Sequence, residues 1–64
     1  MNWIEFKERM PEVDYPGKEL NVKTPKGDGV AIFATKLGFY RIRINGVLQP
    51  DGLIVTHWCP LHND

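Results

Sequence analysis

Three side chains near the end of the chain are of types that bind metals or act as nucleophiles. His57, Cys59 and His62 form the pattern H-x-C-x-x-H, and imidazole nitrogen and thiolate sulfur are preferred zinc ligands. A structural zinc normally has four ligands, whereas this segment supplies three, and no nearby acid is positioned by the sequence as a base. The pattern therefore favours a packed cysteine and an exposed terminal histidine. We predict no metal and no bound cofactor.

Nucleophilic catalysis by the cysteine is the second chemistry that the residues of this segment could support. A thiol becomes reactive when a base within hydrogen-bond distance removes its proton. On a strand, His57 and Cys59 share a face, but residues two apart seldom reach hydrogen-bond contact, and the chain lacks a glycine-rich oxyanion loop. We predict that no residue is catalytic and that the protein is not an enzyme. A minimal hydrolase that uses His57 is the alternative.

Arg41 and Arg43 are the strongest candidates for ligand binding. They stand two apart in a run that alternates polar and apolar side chains, so a strand projects both from one face together with Phe39. Two guanidinium groups bind a phosphate, and an aromatic ring stacks on a base. The pattern indicates a site for a nucleotide-like small anion, and an ordinary solvated strand face is the other interpretation. His57 and Trp58 complete the predicted ligand-binding set.

The charge and hydropathy of the chain restrict its partners. Lys and Arg together number 8, as do Asp and Glu, and this balance argues against a general nucleic-acid binder. Basic residues outnumber acidic ones by five to three after position 21, which is consistent with a modest anion-attracting face. The longest purely apolar run, 30–34, is far shorter than a membrane span. The N-terminus lacks the features of a signal peptide. We expect a cytoplasmic protein with no membrane partner.

The small size of the chain leads us to expect self-association. A single domain of 64 residues buries only about 60% of the surface that its unfolded chain exposes. Disulfides, metals or oligomerisation commonly compensate for such a small core. The single cysteine excludes an intramolecular disulfide. We therefore predict one domain over residues 1–64 that forms a homo-oligomer.

The pattern of apolar residues and turn signals predicts a mostly β fold. Strands are expected at about 18–24, 30–35, 39–45 and 53–58, with shorter candidates at 2–6 and 47–49. A helical turn over 6–10 is the competing interpretation at the start of the chain. Prolines and glycines mark loops at 11–17 and 25–29, and Asn45-Gly46 favours a type I′ hairpin turn. The expected architecture is a small antiparallel meander or partly open barrel of four to six short strands, with little or no helix.

Strand alternation also predicts the core. In the run from 39 to 45, alternate residues beginning with Tyr40 should face inward, and those beginning with Phe39 should face outward. In the last strand, Ile54 and Trp58 should face the core or a neighbouring subunit, with His57 partly exposed on the opposite face. The full predicted core is Leu20, Val22, Val30, Ile32, Tyr40, Ile42, Ile44 and Ile54.

Both ends of the chain carry motifs that resemble a known family. The residues Trp3-Ile4, then Arg9-Met10-Pro11, and Thr56-His57-Trp58-x-Pro60-Leu61 are similar to domain-of-unknown-function family 551. Its members read W-I-x-V-x-x-R-L-P-E at the start and T-H-W-M-P-L-P at the end. This chain departs from that pattern at Cys59, where the family has Met, and at His62, where it has Pro. The resemblance implies a phage or prophage setting and supplies no activity.

These observations together lead to one functional hypothesis and its alternatives. We expect a phage-type, non-enzymatic binding protein that acts as a homo-oligomer in the host cytoplasm. It would sequester a nucleotide-like small anion as a counter-defence, or block a host protein. The alternatives are the His57 hydrolase and a DNA-associated phage accessory protein.

Overall fold

A computed structural model describes residues 2–50 and 52–61, and within them the chain forms one six-stranded sheet. The strand order is β1-β6-β2-β3-β4-β5, and every neighbouring pair is antiparallel. The described residues contain no helix, so none of them belongs to a helix capable of crossing a membrane. The predicted mostly β class is confirmed. The strands are β1 Ile4–Glu5, β2 Glu19–Thr24, β3 Gly27–Ala34, β4 Gly38–Ile44, β5 Val47–Leu48 and β6 His57–Pro60.

Local sequence explains the turns that connect β2 through β5. Between β2 and β3, the Thr24 hydroxyl donates to the carbonyl of Gly27 at 2.8 Å and accepts from the amide of Lys26 at 3.1 Å. Between β4 and β5, Asn45 and Gly46 both have positive φ, 53° and 78°. That backbone is what a type I′ turn requires, as Asn-Gly predicts.

The two longer connections carry side chains over the inner face of the sheet. At the start of the first, the amides of Glu8 and Arg9 donate to the carbonyl of Glu5, so β1 is followed by a single turn. Partly buried side chains from both connections pack on the core. The buried apolar side chains are Leu20, Val22, Ala31, Phe33, Ile42, Ile44, Val55, Trp58 and Cys59.

A bulge in β4 changes which residues face the core. Arg43 pairs with Val30 and Tyr40 with Ile32, so two residues of β4 lie opposite one of β3. All four of Phe39, Tyr40, Val30 and Ile32 are half-buried, but among them Phe39 packs against the core cluster. The predictions that Phe39 faces outward and that Tyr40, Val30 and Ile32 form the core were wrong. On β4, strict alternation fails across the bulge because the extra residue reverses the faces. On β3, Ala31 and Phe33 occupy the inner face, so Val30 and Ile32 lie on the outer one.

The segment before β6 also departs from the predicted alternation. Ile54 is 68% exposed, whereas Val55 and Trp58 are 7% and 4% exposed. The strand begins at His57, so a period of two does not extend back to residue 54. Ile54 as a core residue was therefore wrong. The placement of Trp58 in the core and of His57 in a partly exposed position is confirmed.

Candidate functional site

The predicted ligand-binding residues lie at three different places. Arg41 and Arg43 line one cavity on the outer face of the sheet. His57 lines a second cavity beside β1. Phe39 and Trp58 pack into the core beneath the sheet. Strands β2 and β3 lie between the strand that carries His57 and the strand that carries the arginines, so the two cavities are separate.

The arginine cavity, as we call the first of these, has a volume of about 190 Å³. Cross-strand pairing places Glu19 opposite Ile32, and Arg43 opposite Leu48. Directly paired residues of an antiparallel sheet share a face, so β2 through β5 all contribute to one outer surface. Its lining residues are Glu19, Ile32, Arg41, Arg43 and Leu48.

The charges in the arginine cavity do not cancel. The guanidinium of Arg43 donates to the Glu19 carboxylate through Nη2 and Oε2. Both side chains are substantially exposed, so the pair orients Arg43 more than it stabilises the fold. The ion pairs formed within residues 2–50 and 52–61 include none to Arg41. Among the described lining residues, two guanidinium groups and one carboxylate therefore leave an excess positive charge at this cavity.

The backbone of Arg41 is in the left-handed region, with φ of 51°. This conformation costs an L-residue roughly 1–2 kcal/mol, and in bulges of this kind the position is usually glycine. The same extra residue sets the spacing of Arg41 and Arg43 at the cavity. Strained residues and bulges are common at functional sites, where they re-aim side chains. The strained backbone at the bulge therefore makes Arg41 a candidate functional residue.

The aromatic residues of the predicted set pack on or within the core, with Phe39 half-buried and Trp58 buried. The Phe39 ring lies 5.1 Å from that of Phe6 and 4.9 Å from that of Phe33, measured between centroids. The Trp58 indole is buried and donates through Nε1 to the Arg9 carbonyl at 2.8 Å. The structure therefore brings neither ring to the arginines. Ile32 and Leu48, which the sequence did not single out, supply the apolar walls there.

The second cavity, which we call the His57 cavity, has a volume of about 370 Å³. Its floor is apolar, formed by Phe6 and the buried Val55, and its remaining side chains are polar or charged. The lining residues are Glu5, Phe6, Lys7, Val55, Thr56 and His57. Sequence reasoning found only His57, because Glu5 and His57 become neighbours through the pairing of β1 with β6.

Hydrogen bonds orient the His57 ring and define the roles of its nitrogens. The Thr56 hydroxyl lies 3.1 Å from the carbonyl oxygen of Lys23 and 2.9 Å from Nδ1 of His57. A carbonyl only accepts, so the hydroxyl donates to Lys23 and its oxygen accepts from Nδ1–H. The neutral ring then has its lone pair on Nε2, which lies 4.0 Å from the Glu5 carboxylate.

The same hydrogen bonds bear on the hydrolase alternative. The hydroxyl in contact with His57 is that of Thr56. For His57 to activate it as a nucleophile, the ring would have to accept its proton, but the hydroxyl donates that proton to the Lys23 carbonyl. Cys59 is 1% exposed, which matches the predicted packed cysteine. His62, the third residue of H-x-C-x-x-H, lies outside the described residues. Within residues 2–50 and 52–61, no group of three or more His, Cys, Asp or Glu side chains is placed to hold a metal ion.

Comparison with known proteins adds no assignment, since no family model, curated protein or solved structure matches the chain. The resemblance to family 551 and the phage setting that it implies stay predictions.

Proposed function

We propose that this protein is a small, non-enzymatic binding protein that holds a phosphate-bearing, nucleotide-like anion in the arginine cavity. The observation that carries the proposal is the placement of both guanidinium groups at one cavity whose described lining residues include one carboxylate. Guanidinium groups bind phosphate through paired N–H donors. Arg41 contributes a group with no acidic partner among the described ion pairs.

Each lining residue has a distinct role in this proposal. Glu19 holds the Arg43 guanidinium in place, and Arg43 retains further N–H donors for a phosphate oxygen. Arg41 supplies the second set of donors. Ile32 and Leu48 offer apolar surface to a sugar or base. Because the arginines are exposed, affinity should decrease as the salt concentration rises.

The proposal includes self-association through the edge strand β5. Val47 and Leu48 are 61% and 64% exposed, and in the described part of the chain β5 is the last strand of the sheet and pairs on one side only. An unprotected edge is a template for pairing with another chain. Leu48 belongs both to this edge and to the arginine cavity, so a second copy at β5 would place the anion at a subunit boundary.

The biological setting in this proposal is the cytoplasm of a phage-infected host. A homo-oligomer with such a site would act there by sequestering a signalling nucleotide, as a counter-defence protein. Blocking a host protein with the same charged surface is the second form of the proposal, and the binding experiment separates the two.

The ligand test is calorimetry with nucleoside monophosphates, nucleoside diphosphates and cyclic dinucleotides. The variant Arg41→Ala/Arg43→Ala should lose binding, while the control Lys26→Ala/Lys36→Ala, whose residues do not line the cavity, should retain it. Circular dichroism checks that both variants keep their β signal. Unchanged binding in the arginine variant would contradict the arginine site. No binding of any probe by the wild type would contradict anion binding and leave only the host-protein form of the proposal. Conversion of a bound probe to a product would instead support the hydrolase.

The assembly test uses native mass spectrometry and sedimentation at micromolar concentration. Wild type should be a dimer or larger, and Val47→Glu should be monomeric because it places a charge at the β5 edge. Leu37→Glu is the matched control, since Leu37 is also exposed, at 73%, but lies in the β3–β4 turn. A monomeric wild type, with thermal unfolding independent of concentration, would exclude self-association.

A further inference from the structure

The His57 cavity has features of a ligand site that is independent of the arginine cavity. The two cavities share no lining residue. At about 370 Å³, the His57 cavity falls within the range of roughly 300–1,000 Å³ that is typical of small-molecule sites. It combines an apolar floor with a few polar groups, the arrangement found in most such sites.

We propose that the His57 cavity binds a free apolar α-amino acid as its zwitterion. Its ammonium group would lie between Glu5 and His57, its carboxylate would face Lys7, and its side chain would rest on Phe6 and Val55. This inference does not depend on anion binding by the arginines.

The ammonium position follows from two hydrogen-bond acceptors that face each other. In the neutral imidazole, Nε2 of His57 carries the lone pair when Nδ1–H is donated to Thr56, and Nε2 lies 4.0 Å from Oε1 of Glu5. That gap is longer than a direct hydrogen bond, but a nitrogen placed between them reaches both at about 2.9 Å. An ammonium group supplies the two donors and also neutralises the Glu5 carboxylate.

The positive charge of Lys7 explains why a zwitterion fits the cavity better than a simple amine. Lys7 lines the same cavity as Glu5, and the ion pairs of the described residues include none between them. A cationic amine would satisfy Glu5 and leave Lys7 unmatched. An α-amino acid carries both opposite charges within one small group.

The floor of the cavity is suited to an apolar side chain. The Phe6 ring is held against Phe33 and Phe39, with centroid distances of 5.9 Å and 5.1 Å. Val55 beside it is buried in the core. Such packing leaves a rigid apolar surface that does not need to be ordered on binding, which reduces the entropic cost of association.

The test is NMR titration of the protein with three probes that differ only in their charged groups. L-Phenylalanine should bind, with shift changes centred on Glu5, Thr56 and His57. The amine 2-phenylethylamine and the acid 3-phenylpropanoate should each bind at least about tenfold more weakly, because each lacks one charge pair. Equal binding of 3-phenylpropanoate would overturn the ammonium position, and equal binding of 2-phenylethylamine would overturn the role of Lys7.

Substitutions inside and outside the cavity test whether Glu5 and His57 bind the amino acid. Glu5→Gln and His57→Leu should each weaken L-phenylalanine binding about tenfold or more. The control Glu12→Gln removes an exposed carboxylate outside the cavity and should leave binding unchanged. Arg41→Ala/Arg43→Ala should still bind L-phenylalanine, so failure of the arginine proposal is distinguishable from failure of this one. An absence of shift changes in wild-type protein would refute the inference.

Discussion

The indole Nε1 of Trp58 donates a hydrogen bond of 2.8 Å to the carbonyl oxygen of Arg9, a residue 49 positions earlier. The Arg9 guanidinium also lies 5.9 Å from the centre of the indole ring. The ring itself is buried among core residues. This pair ties the first long connection to the last strand.

Replacement of Trp58 should distinguish the ring from its hydrogen bond. Trp58→Ala should reduce the free energy of unfolding by roughly 3–5 kcal/mol, because it removes a large buried ring. Trp58→Phe keeps a ring but loses the hydrogen bond, worth about 1 kcal/mol, in addition to some packing. Chemical denaturation measures both values. His57→Gln, at a partly exposed site, should cost little, and a larger loss there than in Trp58→Ala would contradict the observed burial.

Arg41→Gly should raise stability while removing a candidate ligand-binding group. Glycine adopts positive φ without the steric penalty that Arg41 incurs at 51°. We expect Arg41→Gly to be about 1 kcal/mol more stable than Arg41→Ala, which removes the same guanidinium and keeps the strain. Thermal unfolding of the two variants checks this difference. Equal stability would mean that the bulge is unstrained or relaxes in solution.

Gly29 is required because the sheet leaves no room for a side chain. A Cβ at this position would overlap the backbone carbonyl of Arg43. Backbone atoms in a paired strand cannot move aside easily, so Gly29→Ala should disrupt the β3–β4 pairing and unfold the protein or lower its Tm sharply. Gly46→Ala is the comparison, since no atom obstructs a Cβ there and only the positive φ opposes it. A smaller loss at Gly29 than at Gly46 would argue against the strand register.

Asp14 provides a test of electrostatics on the first long connection. The Lys18 ammonium donates to its carboxylate at 3.1 Å, and this hydrogen bond, followed by one from the backbone, lowers the pKa of Asp14 from its ordinary value of 3.8. Lys18→Met should therefore raise that pKa, measured by NMR titration, while Lys26→Met should not.

The lowered pKa also determines the direction of the pH effect on stability. The contribution of the pair is present above the ordinary pKa of Asp14 and is lost as the pH falls through the lower, folded-state value. Because Asp14 is exposed, the accompanying change in the free energy of unfolding should be small. A pKa that does not respond to Lys18→Met would show that the ion pair is absent in solution.

Local sequence patterns were sufficient for the β class, the approximate positions of β2, β3 and β4, and the main turns, whereas the last strand, expected at 53–58, runs over His57–Pro60. The runs that became β2, β3 and β4 alternate or are rich in β-branched residues, and Asn45-Gly46 matches the turn that it forms. These features depend on backbone preferences over a few residues, so they can be read without knowing which strands pair. Leu20, Val22, Ile42 and Ile44 were placed in the core for the same reason.

Which side chains meet at each cavity was decided by the tertiary structure. The bulge at Arg41 places Phe39 against the core. This bulge exists only in the pairing of β4 with β3, so the sequence of β4 alone does not predict it. The Glu19–Arg43 and Glu5–His57 pairs join residues far apart in the chain. The first depends on the pairing of β2 with β3 and of β3 with β4, and the second on the pairing of β1 with β6. A period-two pattern describes one strand at a time, so it identified Arg41, Arg43 and His57 as candidates but not their neighbours. Their neighbours are determined by the order of strands in the sheet, which is a non-local property.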